Sequence, residues 1–312
     1  MARYTQIKKL DTPEALRAHA ASLGVDVAVD DDIDPRGPLS DPVTFVDGSA
    51  GEVRAPNRFA ALPMEGWDAT TDGAPTDLLR RRWERMGASG CGVVWGEATA
   101  VRGDGRANPN QLVLEPANAA AIAELRTLLA ADQVTGLQLT HSGRWSRPDG
   151  APRPRTAYRH PALDRRVGDG DEVPFTDDEL DDLADAYVDA AVLAADAGFD
   201  FVDVKHCHGY LLHEILSARS RPGRYGGDLA GRTAFLERVV GGIRDRAPGL
   251  AIAVRLSAFD LVPFAAGADG VGEPDWDGEY PYAFGATADG RSIDLAEPHA
   301  FLDRCAELGI AL

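Results

Sequence analysis

The sequence predicts an α/β fold, a TIM (β/α)8 barrel whose 312 residues run out after about strand five or the start of strand six. Two observations predict it. Short apolar segments rich in Val, Ile and Leu alternate with amphipathic helical segments, which implies parallel strands joined by right-handed crossovers. Polar groups gather just past those apolar segments: Glu65 and Trp67, Glu97 and Thr99, His141 and Arg144, Lys205 and His208, Arg255 and Ser257. A barrel builds its active site from the loops at the C-terminal ends of its strands, which places polar groups there. A third observation is negative. No Gly-rich phosphate turn follows the first strand, so a Rossmann arrangement is disfavoured.

In chain order, residues 1–41 form an N-terminal helical extension and an acidic linker. The helix runs from Thr12 to Ser22, with Thr12 as N-cap, Pro13 in the first turn and Gly24 as stop. Residues 42–312 form the partial barrel, entered through a hairpin at Val43–Val46, Asp47-Gly48 and Glu52–Arg54. The first strand is Arg58–Leu62, closed by Pro63. A helix at Thr76–Ala88, a strand at Gly92–Gly96, a helix at Pro116–Ala131 and a strand at Thr135–Thr140 follow. After a long polar loop, Thr176 caps a helix over Asp177–Ala197, and Phe201–Val204 is the fourth strand. Then come a helix near Arg232–Arg246, a strand at Ala251–Leu256, a long loop and a helix near Pro298–Leu308. A sixth strand is expected to begin at Gly309–Leu312.

Composition narrows the function. The formal net charge of −18 argues against nucleic acid, which needs a basic face. No apolar run is long enough to span a bilayer, and the N-terminus has no apolar core of a secretory signal. Cys91, Cys207 and Cys305 lie far apart, without disulfide or zinc spacing, and suit a reducing cytoplasm.

The stretch from Asp200 to Glu214 concentrates the chemistry. An apolar strand runs into Lys205, His206, His208 and Tyr210, groups that move protons or hold charge. Only three of the 32 basic residues are lysine, yet one of them stands here. Asp203, two residues earlier on the same strand face, is expected to pair with Lys205 and keep it charged. His206, His208 and His141 also admit a metal-dependent barrel hydrolase.

Four motifs, in order and at strand ends, resemble the old yellow enzyme family of flavin-dependent NAD(P)H oxidoreductases. They are Asn57–Met64, Gly96–Val101, Gln138–Arg144 and the long match from Gly198 to Val240, joined by Val254–Ser257. The likeness covers about residues 43–312. It implies FMN at the barrel mouth, reduced by NAD(P)H and passing hydride to an electrophilic small molecule such as an α,β-unsaturated carbonyl. Gln138 resembles the residue that holds the flavin's pyrimidine edge, and Arg255 the one that stabilises the reduced ring's negative charge. Pro63, Met64 and Ala98 line the ring, with Glu65 beside it where the family often has Thr or Cys. Tyr210 resembles the proton donor. Lys205 and His208 occupy the positions of the pair that binds the substrate carbonyl.

Lys205 stands where the family usually has His, and its charge favours an anionic ligand. The family's phosphate-binding elements follow strands seven and eight, so weak or no FMN binding is expected of these 312 residues alone. Other readings stay open: a flavin-dependent amine-type dehydrogenase, the metal hydrolase, or a catalytically inactive barrel fragment. A small-molecule substrate is the expected partner, with neither nucleic acid nor membrane, and a homo-oligomer is left open.

Overall fold

A computed structural model describes residues 5–32, 34, 36–168 and 173–312. The chain divides into two compact units, Met1–Asp41 and Pro42–Leu312. In the first, helix α1 (Pro13–Ser22) starts where expected, with the Ala15 amide donating to the Thr12 hydroxyl at 3.2 Å. Arg17 ties that helix to the acidic linker through the Val29 carbonyl and Asp31, each at 2.6 Å.

The second unit opens with an antiparallel hairpin, β1 (Val43–Asp47) and β2 (Gly51–Ala55). Asp47 closes its turn by accepting from the amides of Ser49 and Ala50. Strand β3 (Ala60–Ala61), helix α2 (Asp77–Gly87), β4 (Val93–Ala100), α3 (Pro116–Arg126) and β5 (Val134–Thr140) follow. Next come α4 (Pro161–Val167), α5 (Asp177–Asp196), β6 (Phe201–Val204), α6 (Leu211–Ile215), α7 (Leu229–Arg246) and β7 (Ala251–Ala253). A small hairpin, β8 (Phe264–Ala266) with β9 (Gly272–Pro274), and helix α8 (Ala296–Glu307) complete the order.

Strands β3 to β7 form one parallel sheet in sequential order. The expected cylinder is not closed by the described residues; they form a curled five-stranded sheet. The curl is visible in a contact between its two edges. In a flat sheet β3 and β7 would stand about 19 Å apart, four spacings of about 4.8 Å. Here the Arg255 guanidinium, just past β7, reaches 3.5 Å from the Pro63 carbonyl, just past β3. Beyond α8, Ala311 donates to the Ile252 carbonyl and Val254 to that of Leu312. The last residues thus run beside β7, where the next strand was expected.

Alternation assigns the two faces of the sheet. Outward residues, including Val94, Leu137, Leu139, Val202, Val204 and Ile252, join the main core with the helices. Inward residues Val93, Val134, Phe201, Ala251 and Ala253 meet Val43, Phe45 and Val53 of the hairpin, which plugs the N-terminal end. Continued in steps of two, the inward series reaches Gln138 in β5, Asp203 in β6 and Lys205 just past it, and Arg255 just past β7. The period that builds the core therefore also delivers the site.

Several boundaries differ from the sequence reading. Strand β3 keeps two of the five expected residues. Strand β4 runs on to Ala100, because Ala98, Thr99 and Ala100 pair with Gln138, Leu139 and Thr140 past a bulge at Gly96/Ala98. Strand β7 stops at Ala253, and Leu256 makes only an isolated bridge to His206. Helix α3 ends at Arg126 rather than Ala131, and α7 starts earlier because Asp228 caps it, accepting from Gly231 at 2.9 Å. Helix α6 falls where the stretch after Tyr210 reads as entering a helix, whereas α4 and the β8–β9 hairpin fall in stretches without predicted structure.

Candidate active site

Three sequence-predicted residues meet at the C-terminal end of the sheet. The Lys205 ammonium, almost fully buried, lies 3.1 Å from Glu65 Oε1. The Tyr210 hydroxyl donates to Glu65 Oε2 at 3.0 Å, and the Trp67 indole donates to the same oxygen at 3.1 Å. The Lys205 ammonium also sits 3.9 Å over the Tyr210 ring, a cation–π contact. Glu65, contributed by the loop after β3, is the hub. Burial, reinforced by the Glu65 carboxylate, pushes the Tyr210 phenol well above its ordinary pKa.

The expected Asp203–Lys205 pair is not the one formed. Asp203 lies fully buried one level deeper, where other donors take both its oxygens. The Trp95 indole donates to Oδ2 at 3.0 Å, the Gln138 amide to the same oxygen at 2.5 Å and the Arg255 backbone amide to Oδ1 at 2.9 Å. Burial raises its pKa to about 6 despite those donors. Lysine has the longer reach and finds its counter-ion on the neighbouring loop instead. Neither Trp95 nor the hub role of Glu65 was anticipated. A tryptophan at an inward position two before Glu97 was the available signal for the first.

The bulge in β4 separates two neighbours. It turns Glu97 outward, where it accepts from the Trp83 indole at 3.1 Å and Arg82 at 3.0 Å. It sets Ala98 level with Gln138. The buried Glu97 carboxyl is pushed up to about 7, mainly by desolvation. Ala98 is buried, and its carbonyl accepts from Gln111 at 2.9 Å. Pro63 and Met64 lie on the loop after β3 with Glu65, and Leu62 and Met64 are 62% and 69% exposed, leaving open apolar surface on the segment that carries Glu65.

His208 stands beside the hub without bonding to it. Its backbone is left-handed (φ 64°) and its amide donates to Ser257 Oγ at 3.0 Å. It lines a cavity with Trp145, Tyr158, His160, Tyr280 and Tyr282 and has no hydrogen bond to the Glu65 hub. Burial and the nearby charges of Lys205 and Arg255 lower its pKa. The aromatic loop Trp276–Phe284 packs here against Tyr158 and His160. Arg144 is a buried organiser of this region, bound to Glu214 at 2.7 Å, to Asp164 and to the Tyr158 carbonyl.

The histidines do not assemble a ligand set. His206 Nδ1 donates to the Val204 carbonyl at 2.7 Å while its ring packs on Phe301. His141 Nδ1 accepts from the Gly143 amide at 3.0 Å, which leaves its proton on Nε2, 3.6 Å from Asp104. Among the described residues no three His, Cys, Asp or Glu side chains converge as metal ligands. Cys207 is buried, its thiol pushed up to about 11 by desolvation, and is no reactive thiolate.

A curled parallel sheet with a polar cluster at its C-terminal mouth defines an α/β protein of the strand-end-site class. A sequence profile of the NADH:flavin oxidoreductase / NADH oxidase family matches residues 48–276, and the chain belongs to that family. The family's cofactor is FMN and its reductant NAD(P)H.

Among curated relatives, an NADPH dehydrogenase of Geobacillus sp. (strain WCH70) is 29% identical over 216 residues, 68% of this chain and 62% of that one. An NADH:flavin oxidoreductase of Gibberella zeae is 30% identical over 234 residues, 69% of this chain and 56% of the relative. The chain thus spans about three fifths of their length. The fold is shared with the old yellow enzyme homologue from Zymomonas mobilis (TM-score 0.61, 24% identity, 88% of this chain and 71% of that one). It is shared too with Old Yellow Enzyme from Pichia sp. AKU4542 (TM-score 0.65, 21% identity, 88% and 69%).

Proposed function

We propose that the curled sheet is an arc of a (β/α)8 barrel and that its mouth holds FMN in an NAD(P)H-dependent oxidoreductase of small electrophilic molecules. The observation that carries this reading is that Gln138 and Arg255 are tied through Asp203, while Lys205 and the Arg255 guanidinium reach Glu65 and Pro63 of the loop after β3, which also carries the exposed Met64.

These residues fit a flavin. Arg255 is held by its backbone to Asp203 and lies against the Pro63 carbonyl, so a planar permanent cation faces the mouth. Gln138 uses one amide hydrogen on Asp203, and the second remains for a ring carbonyl. The exposed apolar surface of Leu62 and Met64 gives a flat ring its wall. Bound FMN would supply hydride transfer, taking hydride from NAD(P)H and giving it to the substrate.

The chain's own residues would handle the proton and the developing oxyanion. Tyr210 stays protonated at neutral pH and can donate to the substrate carbon opposite the hydride. Lys205 over its ring favours the phenolate left behind. Because Glu65 neutralises Lys205, that lysine acts as an oriented donor to a substrate carbonyl rather than as a free charge attracting anions. His208 offers a second donor from the cavity side.

The test is anaerobic reduction. Chain reconstituted with FMN should lose its flavin absorbance on adding NADH or NADPH and regain it on adding an activated enone such as 2-cyclohexenone or N-methylmaleimide. FMN that stays oxidised in the chain's presence with both nicotinamides contradicts the reading.

A further inference from the structure

The cavity beside His208 is not explained by the flavin. It encloses about 320 Å³, at the small end of ligand pockets. Its walls are Trp145, Tyr158, Tyr280 and Tyr282, with Asp260 and His208 among the polar groups. The aromatic wall is pre-set. Tyr158 and Tyr282 are stacked with interplanar angle 9°, Tyr280 meets Tyr282 edge-on, and the Tyr280 hydroxyl is 2.7 Å from His160 Nε2. The Leu163 amide donates to His160 Nδ1, so Nε2 carries the proton and points it at Tyr280.

The charges lining the cavity do not cancel. Glu214 is committed to Arg144 and Arg166 to Asp275. The Asp260 side chain is 44% exposed and has His213 Nε2 as its nearest protein partner, at 3.5 Å without a hydrogen bond. His213 is buried and accepts from the Gly209 amide at Nδ1, and burial lowers its pKa, so it is a neutral neighbour. Two further buried atoms in the lining, Glu214 Oε2 and Ser217 Oγ, have no partner. The unmet groups are thus the Asp260 carboxylate, partly open to solvent, the second Glu214 oxygen, and the Ser217 hydroxyl, which can accept or donate, within a lining of aromatic rings. Aromatic faces and acceptors together select a cation that is poorly served by water.

We infer that this cavity binds a small organic cation, the ammonium end of a molecule whose other end passes His208 toward Lys205 and Tyr210. The cationic end rests on the cavity alone. Only the placing of a reacting group at Lys205 and Tyr210 rests on the proposed function.

The test uses the whole chain without cofactor and measures binding by calorimetry at pH 8, with benzyltrimethylammonium, benzyl alcohol and benzoate as cationic, neutral and anionic probes of one shape. The cation should bind about tenfold or more tighter than the other two, and Asp260→Asn should remove about that preference. A second variant, Tyr282→Leu, should weaken the cation more than the alcohol. Far-ultraviolet circular dichroism checks that both variants are folded. Absence of cation binding at millimolar concentration, equal binding of the three probes, or an unchanged preference in folded Asp260→Asn overturns the inference. None of these outcomes touches FMN reduction, so failure here and failure of the proposed function are distinguishable.

Discussion

The Lys205 ammonium is paired with Glu65, at 3.1 Å, across 140 positions of sequence. The pairing decides what each residue can do. Lys205 is buried with its charge compensated, and Glu65 is fixed to accept the Tyr210 proton donor as well.

Removing the acid should therefore strand a buried cation. Glu65→Gln is expected to cost about 2–4 kcal/mol of stability, while adding Lys205→Met should restore more than half of it, because the unpaired charge is then gone. Urea unfolding of the two variants and the parent checks this. Equal midpoints for parent and Glu65→Gln would show that the pair contributes nothing.

Tyr210→Phe keeps the ring under Lys205 and removes the transferable proton. If Tyr210 is the proton donor, reoxidation by the enone should slow by about 10²–10⁴-fold, with reduction by NAD(P)H unchanged. Stopped-flow measurement of the two half-reactions separates these, and equal slowing of both would remove Tyr210 from the role.

Glu97 gives a pH signature unrelated to catalysis. Its carboxyl titrates at about 7 in the folded chain against an ordinary 4.5. The folded state therefore keeps a proton that the unfolded state loses. This group's stabilising contribution is full below about 4.5 and is lost as pH rises through about 7. Glu97→Gln is neutral throughout and retains an oxygen to accept from Trp83 and Arg82. Its stability relative to the parent should rise between pH 4.5 and 7, by on the order of 3 kcal/mol, and level off above. Urea unfolding at pH 5.0, 6.0 and 7.5 gives the slope, and a flat difference would place Glu97's titration elsewhere.

Much of the site was legible because alternation is local. Counting in twos from Val134, Phe201 and Ala251 reaches Gln138, Lys205 and Arg255, and the same inward series packs on the hairpin. What escaped depends on contacts the sequence does not index. Lys205's counter-ion was misassigned to Asp203, because its true partner comes near only when the sheet curls and lifts the loop after β3 to the mouth. The bulge that parts Glu97 from Ala98 has no residue signature, since Gly96 fits a straight strand equally well. The cavity beside His208 escaped for a related reason: Tyr158 comes from one long loop and Asp260 and Tyr282 from another, and the aromatic run Trp276–Phe284, read alone, admits either a lid or simple packing on the barrel. His208 itself is legible in the sequence, but its place in the wall of the aromatic cavity is not.

The central claim is that the mouth formed by Gln138, Lys205 and Arg255 is a flavin site. A titration of FMN into the chain, followed by flavin fluorescence and carried to millimolar concentration, tests it most directly. The account predicts weak but saturable binding of one equivalent, with affinity falling about tenfold or more in Arg255→Ala through loss of the planar cation. Absence of saturation, or the same affinity in folded Arg255→Ala, would contradict it.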